Sequence, residues 1–214
     1  MRNHSSSLRT LIEVSAVIAT GILHLVFIEV FQAKAWFIAL AITCWVIYIV
    51  VRVRRDSSAL DSWGFRSINL RKTLIASSLV AAFAILAMIA IAKGALFIHW
   101  HMLPLLLLYP IWGVIQQFLV QAMVVNNLSP ISDRTGFRLT VIIVAAVLFG
   151  LVHIPDVKLM AATFGLGLAF TPIYLRWRNL WPLGVYHGWL GVFFYFWVLH
   201  RDPWLEVLGS LKEV

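Results

Sequence analysis

The sequence has one cysteine, nine acidic residues and few charges of any kind; Lys, Arg, Asp and Glu together make up 12% of its 214 residues. A soluble globular domain carries about twice that share, so a solvated surface of ordinary size cannot be built here. The lone Cys44 sits inside an apolar run and excludes both an internal disulfide framework and a cysteine-based zinc site. There is no low-complexity tract and no internal repeat, which excludes a disordered tail and a repeat array. The 17 basic residues against nine acidic give a net charge of +8. They are scattered between apolar stretches rather than clustered, so they are read as topology signals and no nucleic-acid partner is expected.

What is abundant is apolar length. Hydrophobic residues make up 62% of the chain, and the mean hydropathy is +0.91. At about 20 apolar residues per crossing, this supplies six or seven membrane spans and leaves no room for a separate soluble domain. Seven stretches are predicted: Thr10–Phe31, Ala35–Val51, Leu74–Ala92, Leu103–Val125, Leu139–Ile154, Leu159–Leu175 and Leu180–His200. The fold class is therefore all-α, a polytopic transmembrane helical bundle of about seven spans (six to eight), with residues 1–214 as one membrane-embedded domain. The fifth and sixth stretches are short, and a re-entrant turn at His153-Ile154-Pro155-Asp156 is one way to join them. The first stretch resembles a signal peptide, with Arg2 and Arg9 before it, but its length and Glu13 favour a retained helix.

Placing the N-terminus in the cytoplasm puts twelve of the 17 basic residues inside: Arg2, Arg9, Arg134, Arg138, Arg176, Arg178 and the six between Arg52 and Lys72. Lys34, Lys93, Lys158, Arg201 and Lys212 fall outside. This bias sets the expected orientation. Trp36, Trp63, Trp100, Trp177, Trp181 and Trp204 lie near span ends, where interfacial anchoring accounts for them. Trp63-Gly64-Phe65-Arg66, in the main cytoplasmic loop, suits a short element lying on the headgroups.

Polar side chains are costly in hydrocarbon, so those within spans are candidate functional groups. Gln116, Gln117 and Gln121 form an amide stripe in the fourth span; Gln117 and Gln121, four apart, share a helix face. His153 closes the fifth span in Phe149-Gly150-Leu151-Val152-His153, just before Pro155. His187 begins the seventh span among Gly184, Gly188 and Gly191, whose spacing permits close helix approach. Glu13, His24 and Glu29 occupy the first span, with the two glutamates placed where snorkelling or water can serve them. His99-Trp100-His101 looks like a metal clip, yet two histidines make an incomplete zinc site.

In order and spacing, these segments resemble the CPBP intramembrane protease family. That family includes type II CAAX prenyl endopeptidases and bacterial proteins linked to bacteriocin processing or self-immunity. Its signature runs E-E-x-x-x-R, then F-x-x-x-H, then H-x-x-x-N or D. The second motif is intact as Phe149…His153, followed by Phe164-Gly165-Leu166-Gly167-Leu168, and the third begins at His187 after Leu180-Trp181-Pro182. The resemblance covers a core of about residues 103–196. The first motif departs from it as Gln116-Gln117-Phe118-Leu119-Val120-Gln121, and Gly191 stands where the third motif has Asn or Asp.

The resemblance implies a cavity lined by Gln116, Gln117, Gln121, His153, His187 and Gly191, with the first motif glutamate activating water. Glutamine has no basic site near neutral pH, so it cannot take that proton. The three substitutions agree with one another: without the two acids, a buried Arg would be stranded, at a cost of roughly 3–5 kcal/mol. The site reads as a coherent neutral one. A non-hydrolytic pseudoprotease follows, holding a membrane or lipidated peptide or a partner helix as a chaperone, scaffold or immunity factor. Two alternatives remain open. One is an active endopeptidase using His153 and His187, or Asp156 reaching in; the other is a membrane transporter. No cofactor and no metal are expected. The expected setting is the bilayer of a bacterial cytoplasmic membrane.

Overall fold

The computed structural model describes residues 4–93 and 96–209. Two basic residues counted above, Arg2 and Lys212, lie outside the described residues. The described residues form helices joined by short turns, without a strand. The helices are α1 (His4–Glu29), α2 (Lys34–Arg55), α3 (Ala59–Trp63), α4 (Leu70–Ile91), α5 (Met102–Ile131), α6 (Thr135–Leu151), α7 (Val157–Trp177), α8 (Trp181–Leu199) and α9 (Pro203–Gly209). Six of them are long and apolar enough to cross a membrane. The fifth predicted span is α6, with 17 residues, which reach about 25 Å at 1.5 Å per residue. The polytopic helical bundle expected from composition is the one observed.

The bundle is apolar on both faces of its helices. Leu79, Phe83 and Leu107 are exposed although large and hydrophobic, as lipid-facing side chains must be. Inside, Phe118, Phe149, Phe170, Tyr174 and Phe196 are fully buried. At Phe118–Val125, α5 widens into a π-helical stretch whose eight residues are all buried. Such stretches relieve the α-helical register and often mark functional sites. The α5–α8 pair is packed most closely, and glycines allow it: Gly113 and Gly184 meet backbone to backbone, and Gly188 lies against Pro110. Trp189 adds a hydrogen bond from Nε1 to the Leu106 carbonyl, at 3.0 Å.

The α6–α7 connection turns at 152–155, where the predicted re-entrant turn lies. Asp156 then caps α7, its carboxylate accepting from the Leu159 N–H at 3.0 Å. Lys34, Asp156, Arg201 and Glu206 meet at one end of the bundle, whereas Arg66 reaches the Trp177 and Arg178 carbonyls at the other.

Two expectations are corrected here. The Trp63–Arg66 segment does not lie on headgroups. Trp63 is buried, its ring 5.2 Å from that of Phe118, so it is a core residue and not an interfacial anchor. Tyr174 donates to the Trp63 carbonyl, and the Leu180 N–H donates to that of Gly64. Gly64 has φ +93°, and a Cβ there would lie 2.9 Å from the Arg178 oxygen. Asn179 fastens the loop by donating from Nδ2 to the Arg66 and Ile68 carbonyls. A loop is held by these bonds because its own polar backbone groups, once buried, must be satisfied. Asn179→Ala is expected to lower stability by about 1–3 kcal/mol, the cost of leaving buried acceptors unpaired, measured as a fall in the detergent melting temperature.

Glu13 also departs from its expected place. It does not snorkel: it is 5% exposed and accepts hydrogen bonds from Tyr48 (2.5 Å) and Asn127 (2.6 Å), tying α1 to α2 and α5. Short-range satisfaction inside the bundle replaced the route to water.

Candidate functional site

A cavity of about 1350 Å³ opens between α1, α2, α4, α5, α7 and α8. Its walls are mostly aliphatic and aromatic. Among the residues named from sequence, Gln116, His153, His187 and Gly191 line it. Gln117 and Gln121 are placed behind the wall, both fully buried.

The amides are held by one another. Gln121 Nε2 donates to Gln117 Oε1 and to Thr171 Oγ1, each at 3.2 Å. Gln117 Nε2 lies 3.5 Å from Nδ1 of His187. The cluster thus joins α5, α7 and α8 through neutral groups. Gln121 Oε1 has no partner among the described residues. The placement of Gln117 and Gln121 follows from their spacing of four on one helix face. Thr171 was not visible as a partner, because only the packing of α7 on α5 brings it near.

The histidines gather around Phe149. Its ring centroid is 5.0 Å from that of His187, edge to face, and 6.0 Å from that of His153. A third imidazole joins them: His24, from α1, lies 6.4 Å from His153 and also lines the cavity. His24 Nδ1 and His153 Nε2 are buried and have no hydrogen-bond partner among the described residues. Sequence reasoning named His24 among the polar residues of the first span and gave it no part in the site; a polar residue in mid-span was its only signal.

Gly191 faces the Tyr109 ring, and a Cβ built there meets nothing closer than 3.7 Å. A larger side chain at this position has room. Asp156 lines the cavity near its charged end, but its carboxylate is engaged by the Leu159 N–H and by Arg201 at 2.8 Å. That commitment leaves it poorly placed to act as a base. At the same end Glu206 binds Lys34 (2.8 Å) and Arg201 (2.6 Å). Burial opposes its ionisation, yet these two cations hold its carboxyl below the usual carboxylate range.

The cavity therefore offers imidazoles and one amide, and its lining carboxylates are Glu29, at the end of α1, and Asp156, which is engaged by Leu159 and Arg201. It can accept and donate hydrogen bonds to a peptide in an apolar setting.

One comparison takes in the segments that carry Gln116, Gln117, Gln121, His153 and His187. Residues 98–193 match the family model described as Type II CAAX prenyl endopeptidase Rce1-like. This core is similar to the Rce1-like proteins of the CPBP family. The CPBP-like match takes in all three motif regions and the helices α5, α6 and α7 with most of α8, and leaves α1, α2 and α4 outside it. His24 thus reaches the CPBP-like core from a helix beyond the matched segment. The six apolar helices make this an integral membrane protein, and its core is similar to the CPBP family. No curated protein and no solved structure gives a significant match to the chain.

Proposed function

We propose that this protein binds a membrane or lipidated peptide, or a partner helix, in its intramembrane cavity without hydrolysing it. The observation that carries the reading is the neutral network Gln121–Gln117–His187, closed by Thr171, in which amides stand at the motif's second acid and its arginine, with Gln116 at the first acid position lining the cavity. A general base must accept a proton, and an amide does not. The cavity supplies instead an apolar volume with a few convergent polar groups, which suits binding. A chaperone, scaffold or self-immunity role in a bacterial cytoplasmic membrane, with the N-terminus inside, is consistent with such binding.

A second reading is favoured by one observation: His153 Nε2 is buried beside the cavity without a hydrogen-bond partner among the described residues. An imidazole with a free nitrogen is the remaining candidate for proton transfer, and would make the protein an endopeptidase with a variant mechanism using His153 and His187.

The experiment offers prenylated and unprenylated membrane peptides to the protein in nanodiscs and follows both binding and cleavage. The expected result is saturable binding that falls at least tenfold in His153→Ala and His187→Ala, with no cleavage in any form. Cleavage by the wild type that disappears in both variants would establish the endopeptidase instead. Restoring Glu at 116 and 117 alone is expected to leave cleavage absent, since neither the arginine at 121 nor the side chain at 191 returns with them.

A further inference from the structure

The sequence shows His99 and His101 as an incomplete metal clip, and the fold completes it. Asp202, 101 residues beyond His101, brings its Oδ2 to 2.5 Å from His101 Nδ1 and 3.7 Å from His99 Nδ1. All three candidate ligand atoms lie within 4.8 Å of one another. We propose that His99, His101 and Asp202 form a site for a zinc-like divalent transition metal, which fastens α9 to the segment preceding α5 at the cavity mouth.

The donor set chooses the ion class. Two imidazoles and one carboxylate suit zinc and its neighbours, whereas calcium and magnesium take oxygen ligands. With bonds of about 2.0–2.1 Å, a tetrahedral ion sets its ligands roughly 3.4 Å apart. The His99–Asp202 distance is close to that already, and the His101–Asp202 pair needs to open by about 1 Å, within the reach of two side-chain torsions.

The surroundings support Asp202 and both imidazole rings, and an ion on His99 Nδ1 would replace the hydrogen bond that this atom accepts from the His101 N–H at 3.3 Å. Asp202 Oδ1 accepts from the Trp204 N–H at 3.0 Å, which orients the carboxylate and leaves Oδ2 toward the imidazoles. His99 stacks on Phe97 at 5.7 Å, and His101 on Trp204 at 5.7 Å. The neighbouring cation Arg201 is spent on Asp156 and Glu206, so it does not compete for Asp202. The His101 side chain is 10% exposed and that of His99 31%, which shelters the site while leaving an entry path and a fourth position for water. Pro203 and Trp204, beside Asp202, line the cavity. A metal here would fix that stretch of the rim independently of whether the cavity binds or cleaves a peptide.

The test uses the whole protein in nanodiscs, purified without a polyhistidine tag. Zn²⁺ is titrated by calorimetry and Co²⁺ by visible absorption. The expected result is one equivalent of each ion, cobalt bands of a four-coordinate site, and a zinc-dependent rise in melting temperature reversed by a chelator. His101→Asn and Asp202→Asn should each weaken zinc binding at least tenfold, whereas His200→Asn should not. Absence of saturable binding to the wild type overturns the proposal, and that measurement needs no variant to fold. Binding unchanged in both His101→Asn and Asp202→Asn overturns it equally.

Discussion

Replacing Gly188 with alanine is expected to break the α5–α8 contact and with it the site. A Cβ at this position would lie 2.5 Å from the Pro110 nitrogen and 2.6 Å from its Cα and from the Tyr109 carbonyl carbon. These are backbone atoms of a helix, which cannot turn away as a side chain can. Overpacking in a close-packed interior typically costs about 1–3 kcal/mol when side chains can adjust; here the helices must separate, so the upper end of that range or more is expected. The consequence extends beyond stability. His187 and Gln117 sit on these two helices, 3.5 Å apart, and separating the helices removes their contact. The melting temperature should fall sharply and peptide binding should be lost. Gly191→Ala, one helical turn farther on with its nearest neighbour at 3.7 Å, serves as the contrast and should be close to neutral.

Gln117→Glu is expected to be the most costly single change in the polar cluster. Gln117 is fully buried and accepts from Gln121 while facing His187. A carboxylate placed there meets no fixed charge among its hydrogen-bonding neighbours, which are the Gln121 amide and the His187 imidazole. An uncompensated buried charge of this kind costs several kcal/mol, about 3–5 in measured cases. Adding Gln121→Arg to Gln117→Glu should recover a large part of the loss, because the guanidinium then faces the carboxylate four residues away on the same helix. A double-mutant cycle in detergent unfolding measures the recovery as a coupling of about 2 kcal/mol or more. Additive losses would show instead that the three amides are not a coordinated replacement for a charged set.

How much of this could be read in advance differs between elements. Span number and helical class followed from apolar length alone, since a bilayer admits few other structures. The Gln117–Gln121 pairing followed from helical spacing. The turn after Phe149–His153 was marked by Pro155, whereas the Asp156 cap that follows it came only with the fold. The Trp63–Arg66 loop was misread because its amphipathic pattern fits equally a headgroup surface and a groove between helices. Only the Tyr174 and Asn179 hydrogen bonds distinguish the two. Glu13 was misplaced for a similar reason: distance from a span end suggested water, while Tyr48 and Asn127 were available inside.

The sequence by itself determined the solvent, the helical class and the absence of an acid at the first motif, because these depend on composition and on residue type at a fixed spacing. Tertiary structure decided which distant groups share a site. His24 meets His153, Thr171 meets Gln121, and Asp202 meets His99 and His101. Each pair is joined through the packing of separate helices or segments. That packing depends on the shapes of many side chains at once and is written in no single motif.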